Sequence, residues 1–190
     1  MHIELTDHLR CPESHEEAYL VLLPDKMDHR DVVAGHLGCP ICGWSCAWTD
    51  RVPDFGGGWR SEVASPCASG SDAQALLGID GPGGWIALAG AAGRLASELQ
   101  GSLPGVGIIA INPPADLQPS GTISVLLSGA WALKTHAIRG AILGSDAAGW
   151  TASALMSVLP GLRIVGTGTR PESGAEVIGE ADGVWVAKRR

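Results

Sequence analysis

"GWIALAGAAGRLASELQG", residues 84–101, passes from an unbroken apolar run through a small-residue turn into a stretch where Leu95 and Leu99 lie four apart. That order predicts a strand, a tight loop and a helix stopping at Gly101, the opening βα unit of a parallel sheet. The rest of the chain keeps the order. "GVGIIAIN" (105–112), "TISVLLSG" (122–129), "IRGAILGSD" (138–146) and "LRIVGTG" (162–168) read as further strands, and "TASALMSVL" (151–159) as a helix. "AEVIGE" (175–180) and "GVWVAKR" (183–189) read as a closing hairpin, and "DAQALLGI" (72–79) as a short leading helix with Ser71 as its cap. Strands that are apolar throughout are buried on both faces, the situation of a parallel sheet between helices. The expectation for residues 73–190 is therefore a Rossmann-like α/β domain with a mostly parallel sheet. That length is short for the fold, so some crossovers must be loops.

Residues 57–72 break every periodic pattern with Gly, Ser and Pro and read as a linker. Ahead of it, residues 1–56 hold four of the five cysteines and ten Asp or Glu against four Lys or Arg, whereas residues 57–190 are nearly balanced. An acidic first part repels a phosphate backbone, so no autonomous nucleic-acid binding is expected. With 45% hydrophobic and 17% charged residues the composition is globular. No apolar run approaches the roughly 20 residues of a membrane helix, and "MHIELTDHLR" has neither a basic leader nor an apolar export core, so a cytoplasmic location is expected.

Three cysteines within "GHLGCPICGWSC" (35–46) suit metal binding in a reducing compartment better than disulfides. Cys39 and Cys42 are half of a tetrahedral zinc site. Upstream, Cys11 is the one available cysteine, and in "HLRCPESHEE" (8–17) the position that would hold its partner is Ser14, with His15 next to it. The expected metal set is Cys11, His15, Cys39 and Cys42, with His8 and Cys46 in reserve. Three thiolates and one imidazole close a structural zinc site and leave no position for a reacting water.

"LRCPESH" followed by "GHLGCPICGWSCAWTDRVPDFGG" resembles the small zinc-ribbon family that includes the activator subunit of tRNA and ribosomal methyltransferases. It departs from that pattern at Ser14, at Ala47-Trp48 and at Arg51. The resemblance implies a ribbon over residues 1–56 that precedes or partners a methyltransferase. In turn "IRGAILGSD", "LMSVLPGLRIVGTG" and "GVWVAKR" resemble the fourth strand, the helix and fifth strand, and the terminal strand of class I S-adenosylmethionine-dependent methyltransferases. On that resemblance "IALAGAAGRLA" is the first strand and glycine loop, and the cofactor-binding positions fall on Ala89, Ala91, Gly93, Asn112 and Gly129.

The chemistry at those positions is depleted. Acidic side chains would be needed to hold the ribose and the adenine amine, but the first-strand position is Ala87, the second-strand end is Asn112 and the third-strand exit is Gly129. Each lost charge-assisted hydrogen bond removes about 1.5–3 kcal/mol, enough together to weaken S-adenosylmethionine binding by orders of magnitude. The expectation is a zinc-binding, methyltransferase-like protein acting as a non-catalytic structural or partner-binding module, with a protein partner or a second copy. Its alternative is an active methyltransferase with an atypical glycine loop.

Other motifs are weaker. "INPP" (111–114) follows the second strand rather than the fourth, and Ala115 replaces the aromatic that would stack on a base, so it reads as a strand-ending turn. Lys134 and His136 precede the fourth strand and Asp146 follows it; His136 and Asp146 read either as a base and its orienter or as a solvated loop His and a helix-capping Asp, and "GTGTRP" (166–171) reads as a candidate phosphate wrap with Arg170 or an ordinary glycine-rich strand exit. Trp44, Trp48 and Trp59 suit either an interface or a small core. A short-chain dehydrogenase is excluded, because its tyrosine has no counterpart in residues 57–190.

Overall fold

The structure is a computed structural model that describes residues 1–66 and 68–190. Cys67, within the expected linker, lies outside the described residues.

A 3-10 helix over Ile3–His8 leads into an antiparallel sheet of β1 (Val21–Asp28), β2 (Asp31–Gly38) and β3 (Ser45–Trp48). Helix α1 (Gly70–Leu77) comes next, capped by Ser69, whose side chain accepts from the Asp72 amide, and not by Ser71. The cap sits earlier than expected because Ser71 and Asp72 are themselves already helical, so the residue three before Asp72 offers the hydroxyl. Then come β4 (Trp85–Ala89), a 3-10 turn over Gly90–Leu95 and α2 (Ala96–Ser102), which runs one residue past Gly101. β5 (Gly107–Ile111), β6 (Ile123–Leu126) and β7 (Ile138–Leu143) are joined by loops. A 3-10 turn over Ser145–Trp150, α3 (Thr151–Ser157), β8 (Val158–Thr167), β9 (Ala175–Ala181) and β10 (Val184–Arg189) complete the chain.

β4 to β10 form one seven-stranded sheet in the order β6-β5-β4-β7-β8-β10-β9. The first five are parallel, and β10 lies antiparallel between β8 and β9. The order reverses between β4 and β7, which makes the carboxyl ends of those strands the switch point where ligands of open α/β sheets bind. Each segment assigned from the sequence to a first, fourth, fifth or terminal strand occupies that place.

The two faces of this sheet are covered differently. Ile86, Leu88, Ile108, Ile142 and Val165 pack under α1 and α2, through Ala73, Leu77, Ala96 and Leu99. On the opposite face Ala87, Ile109, Ile111, Ala141, Leu143 and Ile164 share one core with α3 and with Leu5, Leu9, Leu37, Cys46, Trp48 and Phe55 of the first 56 residues. No helix forms between β5 and β6 or between β6 and β7, and the amino-terminal segment fills the layer such helices would supply. Backbone bonds stitch it down: Arg10 N–H donates to Ala132 O at 2.9 Å and Lys134 N–H to His8 O at 2.9 Å, around a bridge between Leu9 and Leu133. A fully buried leucine contributes about 1.5–3 kcal/mol. Leu5, Leu9 and Leu37 are all of that kind and belong to the core that the amino-terminal segment shares with the sheet.

Candidate metal centre and cofactor crevice

The Cys39-Pro40-Ile41-Cys42-Gly43 turn between β2 and β3 is a tight knuckle. Gly43 N–H donates to Cys39 O at 3.1 Å and Cys39 N–H to Trp44 O at 2.8 Å, with Gly43 at a φ of 74° that a side chain would strain. Opposite it, the loop after Leu9 presents Cys11 and His15. The Cys11, His15, Cys39 and Cys42 ligand atoms all lie within 4.8 Å of one another. Cys11 Sγ is 3.7 Å from Cys42 Sγ, and Cys39 Sγ is 3.4 Å from His15 Nε2. A tetrahedral zinc ion with its usual bond lengths needs ligand separations of about 3.8 Å between sulfurs and about 3.6 Å from sulfur to nitrogen. The donor set fits that ion in number and type, and these two separations match its spacing.

The surroundings support the same ligand states. His15 Nδ1 lies 2.6 Å from Glu16 O; a proton there leaves the Nε2 lone pair free for a metal, the usual arrangement around a metal-bound imidazole. Trp44 N–H points at Cys42 Sγ from 3.4 Å. Burial pushes the Cys11 thiol up to about 12. Burial acts the same way on Cys39, but the Cys42 and Ile41 amides and the neighbouring thiols donate to its sulfur and bring it down to about 7. A cation would supply the charge that lets all three sulfurs ionise together. The two reserve residues are elsewhere: Cys46 Sγ donates to Asp54 O at 3.0 Å, and the His8 ring packs 5.9 Å from that of Trp85.

At the carboxyl edge of the large sheet, the sequence-predicted cofactor positions are engaged with protein. Ala89 is buried at the end of β4, and Ala91 N–H donates to Asp146 Oδ1 at 3.0 Å. A Cβ on Gly93 would stand 2.5 Å from Pro113 Cβ, so this glycine serves close packing against the exit of β5. Asn112, fully buried at a φ of 49°, donates through Nδ2 to Ser128 O at 2.7 Å and accepts from Ser128 N–H at 2.9 Å, joining the exits of β5 and β6. Gly129 N–H donates to Gly56 O at 2.7 Å.

That last bond belongs to a longer contact. Residues 53–61 run over the carboxyl ends of β6 and β5. Leu127 N–H donates to Pro53 O at 3.0 Å, Phe55 N–H to Leu127 O at 2.8 Å, and Ser61 N–H to Pro113 O at 3.3 Å. A Cβ on Gly58 would meet Leu127 Cβ at 2.7 Å, a closeness only glycine permits. The Trp59 ring sits 4.8 Å from that of Trp150 beyond β7, and Trp150 lies 5.9 Å from Trp131. Thus a stretch that joins the end of the expected ribbon to the start of the expected linker lies over the carboxyl ends of β5 and β6, beside the β4/β7 switch point. Nothing in its side chains signalled this, because the bonds are made by backbone groups. Arg94 Nε extends the contact by donating to Val63 O at 3.1 Å.

The remaining candidates separate. Lys134 and His136 stand before β7 and Asp146 after it, so the six-residue strand, about 20 Å long, divides the supposed base from its orienter. Lys134 is buried, with Nζ donating to Asp7 O at 3.0 Å and lying 3.4 Å over the Tyr19 ring; burial lowers its pKa. Arg170 pairs with Glu180 at 2.6 Å. Trp48 is buried, and Trp44 packs 4.9 Å from the Phe55 ring, so both serve the core. No helix among the described residues is long and apolar enough to cross a membrane.

No family model and no curated protein matches the chain. Several solved structures resemble it at low identity. One is a complex between the Haloferax volcanii Trm112 methyltransferase activator and a putative methyltransferase, at 12% identity and a TM-score of 0.40 over 50% of each chain. A second is a putative methyltransferase of an antibiotic biosynthesis pathway from Anabaena variabilis, at 17% identity and a TM-score of 0.41, covering 52% of this chain and 43% of that one. A third is the antibiotic-resistance methyltransferase Kmr, at 16% identity and a TM-score of 0.42, covering 68% and 97%. The chain thus spans half or less of the length of the first two.

Proposed function

We propose that this chain is a zinc-stabilised, methyltransferase-like protein whose cofactor crevice is filled by its own residues 53–61, and that it acts as a non-catalytic structural or partner-binding module. The observation that carries the reading is the set of backbone bonds from Pro53, Phe55, Gly56 and Ser61 to Leu127, Gly129 and Pro113, at the edge where a nucleoside cofactor would lie. The close approaches of Gly93 and Gly129 to Pro113 and Gly56 support it, since the space a glycine loop normally keeps for a ligand is taken by protein. The metal is zinc on this reading, held by Cys11, His15, Cys39 and Cys42, and its role is to fix the knuckle against the loop after Leu9. The ribbon and the sheet then form a single folding unit.

One observation favours a second reading, an active methyltransferase. Arg60 Nη1, Ser61 Oγ and Asp146 Oδ2 are buried without a hydrogen-bond partner, and three glycines, Gly56 to Gly58, precede the first two. Such a segment could lift and expose a cofactor site. Calorimetric titration of the metal-loaded protein with S-adenosylmethionine and its demethylated product separates the two. No heat at about 1 mM ligand is expected; a Kd tighter than about 100 μM establishes the second reading.

A further inference from the structure

β1 is the outer edge of the three-stranded sheet and pairs only with β2. The chain entering it, Ala18-Tyr19-Leu20-Val21-Leu22-Leu23, carries no charge. Leu20 is buried and Leu22 packs against the core, while Tyr19, Val21 and Leu23 are 72%, 50% and 63% exposed. Successive odd positions thus form an apolar row on the outward face. Across from it stand small or polar groups: Val21 is level with Gly38 and Ser45, and Leu23 with His36 and Ala47. The face is flat.

Sheet edges are normally blunted by proline, charge or bulges. Here those devices are confined to the far half of the strand, as Pro24, Lys26 and register shifts at Pro24/Lys26 and Lys26/Met27. Its first residues, Val21–Leu23, and the chain that enters them from Tyr19 are left open. Exposed acids bracket this stretch, Glu13 and Glu16 on one side and Asp25, beside His36, on the other, in a segment whose acids outnumber its bases ten to four; Asp28 farther along is already paired with Arg51. A second copy is a poor occupant. Antiparallel self-pairing centred on Val21 sets Glu17 opposite Asp25 twice, between two surfaces of the same negative sign.

We infer that the Tyr19–Leu23 edge is a docking strand for an extended segment of another protein, with alternating apolar side chains and lysine or arginine at both ends. The segment adds to β1 by main-chain hydrogen bonds, lays its apolar residues beside Tyr19, Val21 and Leu23, and sets its cations against the flanking carboxylates. This deepens the partner-binding reading and rests on it. S-adenosylmethionine binding tests that reading separately, so failure of the edge alone is distinguishable.

The test uses the full metal-loaded chain and a synthetic peptide of about nine residues, alternating Val and Thr between paired lysines. Controls are the same peptide with glutamates for lysines and the lysine peptide N-methylated on alternate amides. Val21→Lys and Leu23→Lys place a charge on the outward face, and metal content and melting confirm that each variant folds. Expected is lysine-peptide binding at least about tenfold tighter than either control, a loss of about tenfold or more in both variants, and slowed amide exchange confined to residues 19–23. Equal binding of the two charge forms, unchanged affinity in the variants, or no binding at about 1 mM overturns the inference. So does a dimer of the unmodified chain that Val21→Lys dissociates, which would assign the edge to a second copy.

Discussion

Leu9 lies where the amino-terminal segment meets the large sheet, fully buried and bridged through its backbone to Leu133. Replacing it with alanine removes a packed side chain from the core that also holds Ile109 and Ile111. Truncations of this kind cost about 2–5 kcal/mol, depending on how far the site collapses. Against a typical total of about 5–15 kcal/mol this is a large fraction, and the comparison applies to the variant as far as its melting curve shows it folded. For a chain of this size each kcal/mol moves the melting temperature by about 2–4 °C, so a fall of about 4–20 °C is expected. Where that loss appears separates one folding unit from two. If the amino-terminal segment is the missing layer of the sheet, Leu9→Ala lowers the amide protection of Ile108 to Ile111 by the same free energy as that of Leu37. Native-state hydrogen exchange on the metal-loaded protein reads both. β5 amides that keep their original protection while those of β2 lose theirs would refute the reasoning, because the two parts would then unfold independently.

On the proposed ligand set one zinc binds per chain, and Cys39→Ser, which removes one of its thiolates, is expected to lose that zinc and the protection of Leu37; metal analysis checks this, and full zinc retention would sink the proposed set. Asn112→Asp restores an acid at the end of the second sheet strand, yet it deletes the donor to Ser128 O and buries a charge. It should therefore cost about 3 kcal/mol or more and confer no cofactor affinity, as a denaturant midpoint and a ligand titration report. The Cys46 thiol is pushed up from an ordinary 9.0 to about 11 by burial. The folded chain keeps that proton while the unfolded chain loses it, so its stabilising effect is whole below about pH 9 and disappears as the pH rises toward 11. Melting curves across this interval should fall more steeply for the unmodified chain than for Cys46→Ala; parallel curves would show that the thiol has no such role.

The strands of the large sheet were legible because local pattern suffices for them: five consecutive buried residues in "WIALA" and in "GIIAI" announce burial on two faces. The gathering of Cys11, His15, Cys39 and Cys42 into one cluster was legible from cysteine spacing and from the His next to Ser14, where a cysteine partner would stand. What covers the second face was not. Leu5, Leu9 and Leu37 show no periodicity that distinguishes a small local core from a surface lent to a distant sheet, and the absence of helices after β5 and β6 can be read only as shortness of chain. Residues 53–61 escaped for a related reason. Their contacts to Leu127, Gly129 and Pro113 use amide and carbonyl groups that every residue carries, and the glycines that allow the approach are the same ones that mark a linker. Asn112 likewise reads as a lost acid until its paired bonds to Ser128 are seen.

The non-catalytic reading of this chain turns on whether the crevice over the carboxyl ends of β5 and β6 is occupied by its own residues. Titration of the metal-loaded protein with S-adenosylmethionine decides it, read by calorimetry and by the exchange rates of the Phe55, Gly129 and Ser61 amides. With the crevice filled, no binding heat appears at about 1 mM and those rates do not change. A Kd below about 100 μM, with residues 53–61 released as the ligand enters, would contradict it.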